Sequence, residues 1–132
     1  MKNGLIIEPS GNKHWYKDGL LHREDGPAIE HPDGSIWWYQ YGKLHRLDGP
    51  AVEYASGNKE WCINGLRHRV DGPAIENANG YKAWCLNDML HREDCPAIEY
   101  TNGDEYWFLN GEEIFCKTNE EFLRIVKLKA FL

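Results

Sequence analysis

Short apolar runs, bounded by Asn-Gly, Asp-Gly or Gly-Pro pairs, follow one another along the chain. In the run over residues 58–63, the aromatic and β-branched side chains favour a half-buried β-strand. Asn64-Gly65 follows, and this pair favours a two-residue hairpin turn because both positions need positive φ. A return strand is predicted over residues 66–76, bent at its Asp-Gly-Pro triplet, where proline lacks an amide donor. The pattern therefore predicts a β-hairpin.

This hairpin pattern recurs with a period of 23 residues. The segment at residues 21–30 returns with few changes at 44–53, 67–76 and 90–99. A fixed short period indicates one structural unit stacked several times. We therefore predict an all-β fold: an elongated, twisted, single-layer antiparallel meander of about five hairpin repeats and roughly ten strands. One column of the repeat is expected to form a ladder on one face of the sheet: Trp15, Trp38, Trp61, Trp84 and Trp107.

The last part of the chain departs from the repeat. The sequence Thr118-Asn119-Glu120-Glu121 matches a capping box, and apolar residues follow at helical spacing. We predict one amphipathic helix from Asn119 to about residue 130, which covers the last hairpin. Residues 1–116 then form the repeat array and residues 117–132 the capping helix. The alternative is a helix that binds a partner or dimerises.

Charge and cysteine usage restrict the class of function. The formal net charge of −6 argues against binding to a nucleic-acid backbone, which requires clustered Lys and Arg. Cys62 and Cys85 occupy one column two strands apart, at about 10 Å. A disulfide needs Cα atoms within about 7 Å, so this pair is expected to stay reduced. No apolar run is long enough to span a bilayer. A cytoplasmic protein without a membrane partner is expected.

A 23-residue hairpin unit with an aromatic strand, an Asn-Gly-type turn and a glycine-bearing bend resembles the MORN repeat (membrane occupation and recognition nexus). The His-Arg-x-Asp-Gly-Pro-Ala form is similar to the variant class of that repeat found in bacterial, phage and large-virus proteins. The resemblance covers about five-sixths of the chain. It implies a scaffold or binding surface rather than a particular activity. The usual His-Gly pair is replaced here by His-Arg, for example His22-Arg23, and lipid binding is not expected.

The recurring His, Arg and Asp residues could suggest catalysis or metal binding, but an active site is one asymmetric cluster, and this trio occurs four times. Equivalent histidines lie about 10 Å apart, too far to share one ion. We therefore expect no enzyme activity, no metal and no cofactor. The aspartates, such as Asp25, are expected to hold backbone amides of the bend. The arginines are expected to bridge neighbouring repeats through carboxylates such as Glu30 or Asp48, and the histidines to pack beside the tryptophans.

Columns that vary between repeats are the better candidates for binding, because uniform columns build the frame. On the face opposite the tryptophans, aromatic residues gather near the second and third repeats and again near the fifth. Aromatic side chains dominate interface hot spots. The alternative is that they only stabilise one another across strands. The candidate partner-binding residues are Trp37, Tyr39, Tyr54, Tyr100, Tyr106 and Phe108.

Three functional hypotheses follow. The leading one is a non-enzymatic protein that presents this aromatic face, with its acidic rim, to a protein partner; the resemblance suggests a phage or bacterial inhibitor of a host defence factor. The second is a protein that binds a small nucleotide, in which tyrosines stack on the base and the repeated arginines hold phosphate. The third is a structural scaffold that self-associates through the helix or an open sheet edge. The candidate phosphate ligands are Arg23, Arg46, Arg69 and Arg92.

Overall fold

The computed structural model describes residues 1–131 as a long, open antiparallel sheet followed by one helix. The main path of the sheet runs β1-β2-β4-β5-β8-β9-β12-β13-β16-β17-β18. The all-β meander of hairpins with a C-terminal helix is therefore confirmed. The elements are β1 (Gly4–Ile7), β2 (Lys13–Lys17), β3 (Leu20–Leu21), β4 (Ile29–Glu30), β5 (Ile36–Trp37), β6 (Tyr39–Gln40), β7 (Lys43–Leu44), β8 (Val52–Glu53), β9 (Lys59–Glu60), β10 (Cys62–Ile63), β11 (Leu66–Arg67), β12 (Ile75–Glu76), β13 (Lys82–Ala83), β14 (Cys85–Leu86), β15 (Met89–Leu90), β16 (Ile98–Glu99), β17 (Glu105–Leu109), β18 (Glu112–Ile114) and α1 (Asn119–Lys129).

Repeats 2–4 each contain two connected pairings rather than one simple hairpin, whereas β2 and β17 run unbroken through their tryptophans. We number the repeats from their first turn glycine, so that repeat 3 covers residues 57–79. There, β9 pairs with β8 and β12, whereas β10 pairs with β11 in a separate tip hairpin. The change of partner occurs at Trp61, whose N–H donates to the Ala74 carbonyl at 2.7 Å and whose carbonyl accepts from His68 N at 3.0 Å. The predicted ten long strands are therefore observed as a main path of short strands with tip hairpins.

The tip turns have the predicted backbone conformation. Asn64 and Gly65 have φ of 50° and 82°, as a type I′ turn requires. Tyr41 keeps the same conformation with φ of 46°, although it has a bulky side chain. The turn of repeat 4 is built without glycine, at Asn87 and Asp88, with φ of 49° and 68°. The repeated hairpin therefore imposes the turn even where the residue disfavours it.

The apolar interior is thin. The protein exposes 8227 Å², whereas a compact monomer of 15.4 kDa exposes about 7,200 Å². An open, single-layer sheet accounts for this excess. The most deeply buried column consists of alanines that lie opposite tryptophans on neighbouring strands. Trp15 N–H donates to the Ala28 carbonyl at 2.8 Å, and Trp38 N–H donates to the Ala51 carbonyl at 2.7 Å. Its members have no exposed surface: Ala28, Ala51, Ala74 and Ala97.

The helix α1 closes the array at the fifth repeat. Thr118 is its N-cap, and the Thr118 side chain accepts a hydrogen bond from Glu121 N at 3.1 Å. Phe122 has no exposed surface and packs with Trp107 and Ile114. The helix thus covers the last hairpin, as predicted, by packing on Trp107 and Ile114, and it ends within a residue of the predicted end. Among residues 1–131, no helix combines the length and apolar character needed to cross a bilayer.

Candidate functional site

The pairing register assigns side chains to two faces of the sheet. Residues directly opposite each other in an antiparallel pair lie on the same face, and successive residues alternate. Ile29 is opposite His14 and Trp37, so these three share a face, which we call the variable face. The tryptophan column lies on the other side, with Arg23 stacked on Trp15. We call that side the arginine face.

On the arginine face, each arginine stacks on a tryptophan, and in repeats 1–3 it also lies against a glycine. The Arg23 guanidinium carbon lies 3.9 Å from the centre of the Trp15 ring, within cation–π range. Its Nη1 donates to the Pro27 carbonyl at 3.1 Å. A Cβ on Gly26 would lie 2.8 Å from the guanidinium carbon, so glycine leaves the space that the arginine occupies. The same stack occurs at Arg46, Arg69 and Arg92, at 3.8–3.9 Å.

The carboxylates around these arginines differ from the prediction. Asp25 accepts from Arg23 Nε at 3.3 Å, instead of holding the backbone amides of the bend. Arg23 also faces Glu30 at 3.6 Å and so pairs within its own repeat, not across to Asp48. The bend places the guanidinium over its own tryptophan, which directs Nε and Nη1 toward carboxylates of the same repeat. Each of the four arginines therefore has a structural role here, and phosphate binding by them stays a prediction.

The histidines were expected only to pack beside the tryptophans, but they also bond each repeat to the next, in addition to the strand pairing between repeats. His68 Nδ1 accepts a hydrogen bond from the backbone N–H of Asn87, in the turn of the next repeat, at 3.0 Å. Because Nδ1 accepts, a neutral ring carries its proton on Nε2. In His22, Nε2 is 2.7 Å from Glu24. The same bond to the next turn occurs at His22, His45 and His91, at 2.9–3.0 Å.

The first aromatic cluster lies on the variable face and consists of His31, Trp37 and Tyr54. Trp37 meets His31 and Tyr54 edge-to-face at 5.9 and 6.1 Å between ring centres. Tyr54 remains 39% exposed. Tyr39 follows Trp37 on the variable face and is half-buried, and burial, then nearby Cys62 and Tyr54, raise its pKa. The structure brings together the predicted Trp37 and Tyr54. His31, which is not among the predicted binding residues, completes the cluster.

The second aromatic cluster consists of Tyr81, Tyr100 and Tyr106. Tyr100 contacts Tyr81 at 5.2 Å and Tyr106 at 5.7 Å between ring centres. Tyr100 and Tyr106 are 44% and 39% exposed. Phe108 is half-buried farther along β17 and, among residues 1–131, pairs its ring with none of these tyrosines. Tyr81 was missed because its column is otherwise occupied by Asn, Ser and Asp.

One ion pair separates the two clusters. Arg67 Nε donates to Glu60 Oε1 at 3.0 Å. Burial opposes the charge of Arg67, but Glu60 outweighs it and raises the pKa of this guanidinium. Burial, and then Glu60, raise the pKa of the Cys62 thiol to about 11. Cys62 and Cys85 are both free thiols, as predicted, and this environment keeps Cys62 in its unreactive protonated form.

The variable face thus presents an aromatic cluster, an ion pair and a second aromatic cluster in a row. Within residues 1–131, no group of three or more potential metal-ligating side chains comes together. The sequence matches no protein-family model and no curated protein. The candidate site is therefore characterised by its own geometry, as a half-exposed aromatic surface built on rigid paired strands.

Proposed function

We propose that this chain is a protein-binding module whose variable face is the binding surface. The observation that carries the proposal is the exposure of Tyr54, Tyr100 and Tyr106, which keep 39–44% of their surface after packing edge-to-face with neighbours. Rings that only stabilised the sheet would be expected to bury more of their surface. Aromatic side chains fixed by their neighbours lose little rotamer entropy on binding, and they are enriched in interface hot spots.

The size of the surface supports a macromolecular partner. Tyr54 follows β8 and Tyr100 follows β16, four strands farther along the main path. Four strand spacings correspond to about 19 Å. An interface of standard size buries about 800 Å² on each partner, enough to include both clusters. Glu60 and Arg67 lie between the clusters and would orient the partner through polar contacts.

The identity of the partner rests on the sequence resemblance alone. MORN-type variant repeats occur in phage and bacterial proteins, so the specific proposal is an inhibitor that sequesters a host factor, such as a defence enzyme, in the cytoplasm. This part of the proposal is independent of the location of the binding surface. A partner of a different class would leave the assignment of the variable face intact.

The array supplies substitutions that it already tolerates. Asn77 occupies the column of Tyr54 and Tyr100, so Tyr54→Asn combined with Tyr100→Asn removes two rings with a side chain that fits the same position. Phe115→Ser is the matched control, because Phe115 is 82% exposed in the segment before the helix. The wild-type chain and both variants are immobilised in equal amounts, and proteins captured from native extract are quantified by mass spectrometry.

The expected result is a protein captured by the wild type and by Phe115→Ser, and lost with the double tyrosine variant. That protein is then purified, and its affinity for each chain is measured directly, with an expected loss of at least about tenfold for the double variant. Equal affinities for all three chains would contradict the proposal. Circular dichroism of the variants excludes unfolding as the cause.

A further inference from the structure

The bends on the arginine face leave two open grooves between neighbouring repeats. The groove between the bends of repeats 2 and 3 has a volume of about 630 Å³, and Trp61 and Ile63 are among its lining residues. The groove between the bends of repeats 3 and 4 has a volume of about 1000 Å³, and Trp84 and Leu86 line it in the equivalent places. The two grooves repeat along the array and form one segmented channel.

Two aliphatic side chains on the bends stand out beside these grooves. Leu47 is 82% exposed and Val70 is 85% exposed, and both line the smaller groove. The equivalent residues of repeats 1 and 4 are Glu24 and Glu93. The bend therefore does not need an aliphatic residue here. Exposed aliphatic side chains confined to the central bends indicate a contact surface.

The bends also carry a row of carboxylates. The side chains of Asp48, Asp71 and Asp94 are 84%, 87% and 79% exposed. In each repeat one arginine faces two carboxylates, as Arg69 does with Asp71 and Glu76. Each arginine together with its two carboxylates carries one net negative charge, which attracts a basic partner.

We propose that the two grooves bind an extended, basic segment of a partner protein, with a Lys or Arg at every third residue and apolar residues between them. Equivalent positions of adjacent repeats are two strands apart, or about 9.6 Å. Three residues of a polyproline II segment rise about 9.3 Å, so each turn of the segment would present one cation to each aspartate. The apolar residues would contact Leu47 and Val70. This surface shares no residue with the variable face.

The probe is the peptide Ac-(Lys-Leu-Pro)4-NH2, whose composition favours polyproline II and places a lysine at every third residue. The comparison peptide is Ac-(Glu-Leu-Pro)4-NH2, which keeps length and apolar content and reverses the charge. Binding of both to the full chain is measured by isothermal titration calorimetry at low and at physiological salt. We expect the basic peptide to bind at least about tenfold more tightly than the acidic one, with affinity falling as salt increases.

Two double variants locate the contact. Leu47→Gln with Val70→Gln introduces the uncharged counterpart of the outer-bend glutamates and is expected to abolish the apolar contact without adding charge. Asp48→Asn with Asp71→Asn keeps the acceptor for arginine and removes the charge. Each double variant should weaken the basic peptide about tenfold or more, whereas Tyr54→Asn with Tyr100→Asn on the variable face should leave it unchanged.

Three outcomes would overturn the proposal. The first is equal binding of the two peptides. The second is unchanged binding of the basic peptide to both groove variants. The third is that a second copy occupies the grooves, in which case light scattering would give twice 15.4 kDa for the wild type and a monomer for Leu47→Gln with Val70→Gln. None of these outcomes depends on whether the variable face binds a protein.

Discussion

Replacing Gly72 by alanine tests the arginine stack, and repeat 4 already shows what such a change does. A Cβ on Gly72 would lie 2.8 Å from the guanidinium carbon of Arg69, which is too close for a rigid structure. In repeat 4 the equivalent residue is Cys95, which has a Cβ. The φ of Gly72 lies outside the left-handed region, so alanine adds no backbone strain. The response of the arginine therefore determines the energetic cost.

Repeat 4 shows that the guanidinium moves from one carboxylate toward another. Arg92 Nε is 3.9 Å from Asp94, compared with 3.1 Å between Arg69 and Asp71. Arg92 Nη1 is 3.0 Å from Glu99 and still donates to its proline carbonyl at 3.1 Å. The stack on tryptophan is kept at 3.8 Å. One carboxylate contact is thus exchanged for another.

The magnitude follows from this exchange. An exposed Arg–Asp contact contributes about 0.2–1 kcal/mol, and the new Arg–Glu contact returns a similar amount. Alanine also lowers the entropy of the unfolded chain, which stabilises the protein by about 0.4–1 kcal/mol. We therefore expect Gly72→Ala to change the free energy of unfolding by less than about 1 kcal/mol. A rigid stack would lose about 1–3 kcal/mol through overpacking.

Urea denaturation of the wild type, Gly72→Ala and Cys95→Gly measures the change in both directions. A double-mutant cycle adds the mechanism: in the Gly72→Ala background, removal of Asp71 should cost almost nothing, whereas removal of Glu76 should cost more than in the wild type. A destabilisation above about 2 kcal/mol, or an undiminished coupling between Arg69 and Asp71, would refute the reasoning.

Three other contacts give separate predictions. Phe122→Ala should lower the free energy of unfolding by about 3–5 kcal/mol in urea denaturation, because the side chain is fully buried; a loss below about 1 kcal/mol would show that the helix does not stabilise the array. His68→Ala should cost about 0.5–1.5 kcal/mol by removing the acceptor for Asn87 N–H, and an unchanged exchange rate of that amide would contradict the assignment. Burial raises the pKa of Cys62 from 9.0 to about 11, so between these values the native state keeps a proton that the unfolded chain releases. The contribution of this thiol to stability is therefore complete below pH 9.0 and is lost as pH rises through about 11. Cys62→Ala should reduce the loss of stability at alkaline pH, measured by thermal unfolding. The same loss in wild type and variant would show that other groups cause it.

The parts of the fold that depend on residues close together in the sequence were predictable. The turn at Asn64-Gly65 and the capping box before α1 act within a few residues, and the period of 23 extends the local pattern to the whole sheet. The break of the long strands of repeats 2–4 at their tryptophans was not predicted. It depends on Trp61 bonding to different partners through its N–H and its carbonyl, which no local pattern encodes.

The contacts of the charged columns were less predictable. Identifying Arg23 with Asp25 as partners requires the shape of the bend, which folds the arginine back over Trp15. The hydrogen bond from a turn amide to His22 Nδ1 joins residues 19 positions apart. Its donor is a backbone N–H, so the amino-acid sequence does not reveal which residue donates. The variable face was correctly assigned by strand parity, but the ring contacts of Tyr81 depend on packing.

The histidine bonds join each repeat only to the next one, and this has a mechanical consequence. A chain stretched between its two ends would transmit the load through its junctions in series, since strand pairing and the histidine bonds both join a repeat to the next one. Release of one repeat would free 23 residues, or about 80 Å of extended chain at about 3.5 Å per residue. The array would therefore lengthen under tension in nearly equal steps.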